Sequence, residues 1–454
     1  MSEDQLNLTS GSPWRNIWQL SWPMVLIMLF NFVVMFVDVY VAGLISPAVQ
    51  AAVGFVSQIY FLVIILANAI SIGTVAIVSR AIGADDFPEA LSVAKQSLVF
   101  GASVAAALTI VVALFCRDIV EFAGFPVETQ EIAGDFLRIF GFALGPNYLL
   151  LISNAVFRAS GEPMKPLLTM FLVALINVGA VWYLVFQAEL GYRGIAIANA
   201  IALCAGSVIT FVLFFRSRWR PLCRRPYLFT LTAVRRIFLI SWPSAALQIA
   251  WNAGTIVLYN MLGRLGGESI TALAALTSGL RIEAMLFMPV FALNMAASVL
   301  MGQNLGAGNP ERAQELGWKT ATAGAVCVSI PAIGIFIAAD QVASLLARDL
   351  SVLQETVRYL RYNMAVAPIM ALSVILGGGL QGAGDTRGTM WVIIRAMWLV
   401  RLPLAAALTF WAGFGAEGVW IAMVTSMIVQ TILMVRRFRS GAWKQVRHMA
   451  DRRR

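Results

Sequence analysis

The chain has 454 residues, of which 60% are hydrophobic and only 12% charged, and its mean hydropathy is +0.80. An ordinary soluble domain carries about 25% charged residues, so a water-soluble fold is excluded and lipid must solvate much of this surface. The net charge of +10 does not point to nucleic acid, because the Arg and Lys residues sit mostly in short connections between apolar segments.

The polar start, Met1 to Ser12, lacks the basic region and cleavage site of a signal peptide, so the first apolar segment is expected to be retained. A helix needs about 20 apolar residues to cross the hydrocarbon core. Twelve segments qualify: 16–42, 51–79, 91–115, 132–155, 167–187, 194–215, 236–262, 271–301, 313–338, 355–377, 389–411 and 417–436. They are numbered spans 1 to 12. Their long unbroken runs argue against an alternating strand barrel.

In span 1, Trp18 and Trp22, with Trp14 just before it, read as interfacial anchors, Pro23 removes one helical hydrogen bond, and Asn31 and Asp38 are seven residues apart and so share a face. Asn147, Tyr148 and Asn154 follow in span 4, Asn177 in span 5 and Asn199 in span 6. The connection 216–235 is rich in Arg and holds Pro221 and Pro226. Span 7 repeats the proline as Pro243, span 8 carries Arg281 and Glu283, and span 11 carries Arg395 and Arg401. Cys116, Cys204, Cys223 and Cys327 have no metal spacing, and the single His448 excludes a His-based metal centre.

The second half rewrites the first. Ser21-Trp22-Pro23 returns as Ser241-Trp242-Pro243, Gly83-Ala84 as Gly306-Ala307, Gly161-Glu162 as Gly384-Asp385, and Gly194 as Gly418, at offsets of 220, 223, 223 and 224. A duplicated apolar chain is the signature of a membrane transporter with its site between two halves. Six spans per repeat is an even number, so the halves are expected to be parallel, as two six-helix bundles related by a pseudo-two-fold axis along the membrane normal. The expected organisation is a tail 1–15, a first lobe 16–215, a basic linker 216–235, a second lobe 236–437 and a basic tail 438–454. The excess of basic residues in 216–235 and 438–454 places both termini in the cytoplasm.

An ionisable group at the bilayer centre costs roughly 2.5–3.5 kcal/mol on insertion scales, so each needs a reason. Asp38, among Val, Met and Phe, reads as a coupling carboxylate for a proton or cation, against the alternative of a structural Asp satisfied by its neighbours. Asn31, Asn147, Tyr148 and Asn154 are candidates for a polar pocket or substrate cleft, and Asn177 and Asn199 could join Asp38. Arg281, Glu283, Arg395 and Arg401 form a set of buried charges in the second lobe, with Glu283 facing Arg401 or Arg395 either as a structural pair or as a substrate site. No His or Cys pair and no paired carboxylates at catalytic spacing are present, so an enzyme is not expected.

Several stretches together resemble one family. They are Ser21-Trp22-Pro23, Val37-Asp38-Val39-Tyr40-Val41-Ala42-Gly43-Leu44, Ser79-Arg80-Ala81-Ile82-Gly83-Ala84, Phe157-Arg158-Ala159-Ser160-Gly161-Glu162-Pro163, Leu280-Arg281-Ile282-Glu283, the run from Val299 to Gly308, and Gln381-Gly382-Ala383-Gly384-Asp385. The chain resembles the multidrug and toxic compound extrusion family, and most of all its bacterial branch named after DNA-damage-inducible protein F. The resemblance implies an all-α polytopic protein with two six-helix bundles forming a V around a central cleft. It implies antiport of small amphipathic or cationic compounds against H⁺ or Na⁺, with Asp38 on the family's span-1 carboxylate, Pro23 on its bending proline, Asn177 at its ion site and Asn199 where Thr is common. Val181 and the stretch Gln248 to Asn252 lack acids that some relatives carry, which favours H⁺ over Na⁺. The expected partners are a small-molecule substrate and the lipid bilayer, with no nucleic acid and no cofactor beyond the coupling ion, in a chain that works as a monomer in the bacterial inner membrane. A flippase for a lipid-linked precursor is the alternative.

Overall fold

The computed structural model describes residues 6–121, 126–224, 230–347 and 349–445, without the side chains of Glu128, Cys223 and Arg224. Arg225, Pro226 and His448 lie outside the described residues. The described residues form helices and connections, with no strand among them.

The twelve spans are Pro13–Ile45, Pro47–Gly83, Phe87–Glu121, Val127–Ala159, Met164–Trp182 with a π-helical turn Tyr183–Gln187, Tyr192–Phe215, Leu231–Gly263, Ser269–Gly306, Pro310–Ile337, Leu350–Gly382, a composite span 11 from Thr386 to Trp411, and Gly415–Arg439. Each outruns its apolar stretch, because a helix satisfies its own backbone and extends past the hydrocarbon until a cap or turn ends it. Eleven of them are long and apolar enough to cross a membrane on composition alone. Span 7 is as long as span 1 but is diluted by Ser241, Ser244, Gln248, Asn252 and Asn260.

The boundaries follow local chemistry. Ser46 accepts the Val49 backbone N–H at 3.2 Å to start span 2. Asp349 does the same for Ser351 and Val352 at the start of span 10, and the hydroxyl and backbone donors around it hold its carboxyl below the usual range. Span 4 and its repeat counterpart span 10 end in matched turns, with Gly161 at φ +78° and Gly384 at φ +90°, where a side chain would be strained. The acid that follows each glycine is buried and paired: Glu162 with Lys165, and Asp385 with Arg437 through bonds of 2.7 and 2.9 Å.

The chain divides into two compact units. One holds Met1–Leu8 and Trp22–Trp242, the other Thr9–Ser21 and Pro243–Arg454. In the first unit spans 2 and 4 are the most buried of its helices, and in the second spans 8 and 10. The division therefore falls inside spans 1 and 7, beside Pro23 and Pro243, and the first unit takes in the described part of the 216–235 connection.

Candidate functional site

Four helices of the first unit share one pattern. Span 1 packs Ile27 into one apolar cluster and Val41 into another; span 5 does the same with Val173 and Val181, span 6 with Ala202 and Ala198, and span 4 with Leu150 and Phe136. Between these clusters lie Asp38, Asn177, Asn199 and Asn147. A polar layer is thus held between two apolar ones, which fixes its side chains and keeps water from competing for them.

Within the layer, the Asn199 side-chain nitrogen donates to Asp38 Oδ2 at 2.9 Å and to the Ile195 carbonyl at 3.1 Å. Asp38 is half-buried as a residue, but its Oδ1 is sealed and has no hydrogen-bond partner. Asn177 lies within interaction range of Asp38, yet it makes no aligned hydrogen bond, and both of its amide atoms are sealed and unpartnered. Each such group costs about 1–3 kcal/mol. Three polar atoms left unmatched around one carboxylate make an arrangement suited to a proton or a small cation.

Tyr60 belongs to this layer although sequence reading gave it no role. Its hydroxyl accepts from the Asn147 side chain, and it lies within electrostatic range of Asp38. The signal was available: a Tyr in an apolar span needs a partner for its hydroxyl, and Tyr60 is the repeat counterpart of Glu283, since 283 − 60 = 223. Tyr148 donates instead to the Val63 carbonyl at 2.6 Å.

Two expected pocket residues do not join the layer. Asn31 is exposed and donates to the Ile27 carbonyl of its own helix at 2.8 Å. It shares a face with Asp38, but seven residues separate them by about 10 Å of helix. Asn154, seven residues beyond Asn147, is buried elsewhere with its Oδ1 unpartnered.

The charges of the second unit also need correction. Arg281 and Arg395 are exposed, not buried. Arg281 precedes Glu283 by two residues, about 200° around the helix, so burying one leaves the other on an exposed face. Glu283 and Arg401 are buried, at 9% and 3% exposure. They do not form the expected ion pair. Glu283 accepts from the Tyr359 hydroxyl at 2.7 Å, while Arg401 Nε donates to Ser426 at 2.7 Å and its guanidinium lies 5.0 Å from the Trp251 ring centre. Each remains within Coulombic range of the other.

The MatE family model matches residues 23–182 and 243–407, one stretch in each repeat. The chain belongs to the MatE family. It is therefore a multi-pass membrane transporter and not an enzyme. It is 24% identical over 416 residues to the probable multidrug resistance protein NorM of Thermotoga maritima, covering 90% of this chain and 88% of the relative. It is 23% identical to the uncharacterized transporter YisQ of Bacillus subtilis, covering 95% of each chain. Among solved structures, one described as a MATE in the bent conformation superposes with a TM-score of 0.87 at 21% identity, covering 96% of this chain and 98% of that one. A MOP superfamily transporter from Pyrococcus furiosus gives 0.86 at 21% identity, covering 97% and 98%. At such identity the likeness is one of fold, and the MATE fold of twelve helices in two bundles is the fold of this transporter.

Proposed function

We propose that this MatE transporter is a secondary antiporter of the bacterial inner membrane that exports small amphipathic, mainly cationic compounds in exchange for H⁺ or Na⁺. The multidrug names of its relatives support the substrate class. The observation that carries the coupling role is Asp38 in the polar layer, with one oxygen held by Asn199 and the other unpartnered beside an unpartnered Asn177.

In the proposed cycle, Asp38 takes a proton from the outer side. The neutral acid becomes a donor, for which Asn177 Oδ1 is an available acceptor, and the charge-assisted bond from Asn199 weakens. That change alters the packing of span 1 around Asp38, and Pro23, which removes one helical hydrogen bond beside the unit boundary, supplies a place for the helix to bend. Loss of the negative charge disfavours a cationic substrate, which leaves outward; the proton then leaves to the cytoplasm. A lone carboxylate with two amides suits H⁺ better than Na⁺, which seeks more oxygens. Both termini are cytoplasmic in this reading, and a single chain carries out the cycle.

The test is substrate-stimulated H⁺ or Na⁺ movement in vesicles, wild type against Asp38→Asn. The variant is expected to fold and insert but to lose coupled export. Unchanged coupled export by Asp38→Asn would falsify the reading. Movement of a lipid-linked precursor without ion flux would favour a flippase.

A further inference from the structure

The second lobe carries a built polar site whose repeat counterparts in the first lobe are uncharged. Arg401 takes the repeat position of Asn177, since 401 − 177 = 224, the same offset as Gly194 to Gly418. Glu283 takes that of Tyr60. The backbone is altered at the same place. Span 5 and span 11 share a π-helical turn near their ends, Tyr183–Gln187 and Ala407–Trp411. Span 11 has a second one, Arg395–Arg401, whose counterpart in span 5 is regular α-helix. π-Turns inside α-helices recur at functional sites because they re-aim a side chain. This extra turn ends at Arg401.

Both charges are positioned by neighbours other than each other. Tyr359, which holds Glu283, is fully buried and packs edge-on against Trp420, and any side chain at Gly279 would strike its ring. Ser426 and Trp251 hold Arg401. The remaining hydrogen-bonding atoms, Glu283 Oε2 and the Arg401 terminal nitrogens, make no hydrogen bond among the described residues, and none of them is among the fully sealed polar atoms. A carboxylate and a guanidinium in one apolar lobe would ordinarily close on each other. These two form no ion pair, and each keeps hydrogen-bonding atoms that no described residue meets.

We infer that Glu283 and Arg401 form a binding site for a zwitterionic head group, whose ammonium meets Glu283 and whose carboxylate or other acidic group meets Arg401. The occupant completes the bridge that the protein leaves open. The site rests on the transporter reading only for its purpose, since binding is measurable without transport.

The probe is ε-dansyl-lysine, an apolar fluorophore carrying an amino-acid zwitterion, and its binding to purified protein is read from dansyl fluorescence anisotropy. Its methyl ester keeps only the ammonium, and its N-acetyl form keeps only the carboxylate. The zwitterion is expected to bind at least about ten-fold tighter than either, as one charge-assisted contact is lost in each. Glu283→Gln should bring the zwitterion down to the acetyl form, and Arg401→Met down to the ester. Glu315→Gln, which removes an exposed carboxylate paired with Lys319, should change none of these affinities. Equal affinities of the three probes for wild-type protein would overturn the inference even if a variant fails to fold. So would a zwitterion preference that survives both substitutions. If the Asp38 export test fails while this discrimination stands, the coupling scheme is wrong and the site is not.

Discussion

Asn177 and Arg401 are repeat counterparts, both buried in the fifth span of their lobe, yet the first has no hydrogen-bond partner and the second is fixed by Ser426 and Trp251. The duplication kept the scaffold and changed the chemistry at one depth of it.

The unpartnered amide of Asn177 gives a separation of stability from function. Asn177→Leu keeps the branching and heavy-atom count and removes two orphaned polar atoms, so thermal stability in detergent should be unchanged or raised by about 1 kcal/mol. Coupled export should fall at least about ten-fold, the effect of one lost polar contact. Asn199→Leu should lower both, because it removes a donor to Asp38. A stabilised Asn177→Leu with full coupled export would remove Asn177 from the ion site.

Val181 lies one helical turn after Asn177 and is fully buried. Val181→Asp should add oxygens near Asp38 and make export respond to Na⁺. Transport measured across a Na⁺ series at fixed pH checks this; a response equal to that of wild type counts against the placement of the ion site.

The Asp385–Arg437 pair joins the start of span 11 to the end of span 12, and Asp385 also accepts the Gly388 backbone N–H at 3.2 Å. Asp385 is 5% exposed and the Arg437 side chain 37%, so solvent screens part of the pair. Asp385→Ala should cost about 2 kcal/mol, less than a fully buried pair. Glu315→Ala, which removes the exposed pair with Lys319, should cost no more than about 0.5 kcal/mol. Melting temperatures of the two purified variants should rank in that order.

Two glycines should respond oppositely. Gly384→Ala places a side chain at φ +90° and should destabilise by about 1 kcal/mol or more. Gly54→Ala, in span 2 with nothing within 4 Å of the added carbon, should stabilise by about 0.4–1 kcal/mol. Thermal unfolding of both variants measures the contrast.

Asp349 supplies a pH dependence outside the membrane. Its carboxyl is held below its unfolded value by Ser351 and two backbone donors. Its stabilisation of the first turn of span 10 is therefore present above the unfolded pKa and lost as pH falls through the depressed folded value. Hydrogen exchange at the Ser351 and Val352 amides should accelerate over that acid window, and Asp349→Ala should remove the dependence.

The sequence by itself determined the twelve spans, their pairing by repeat and Asp38 as a charge set among apolar residues of the first span. Those properties belong to the chain locally: apolar run length, glycine turns, and the cost of a carboxylate in lipid. The rotation of each helix against its neighbours was decided only by tertiary packing. Asn199 reaches Asp38 across 161 residues while Asn31, on the same face of the same helix, does not. Arg281 and Arg395 are exposed while Glu283 and Arg401 are buried, each of the latter with a partner on another span. Helical spacing gives the face a residue shares, but the depth at which four helices meet, and a π-turn that shifts one of them, arise from side-chain packing across the lobe.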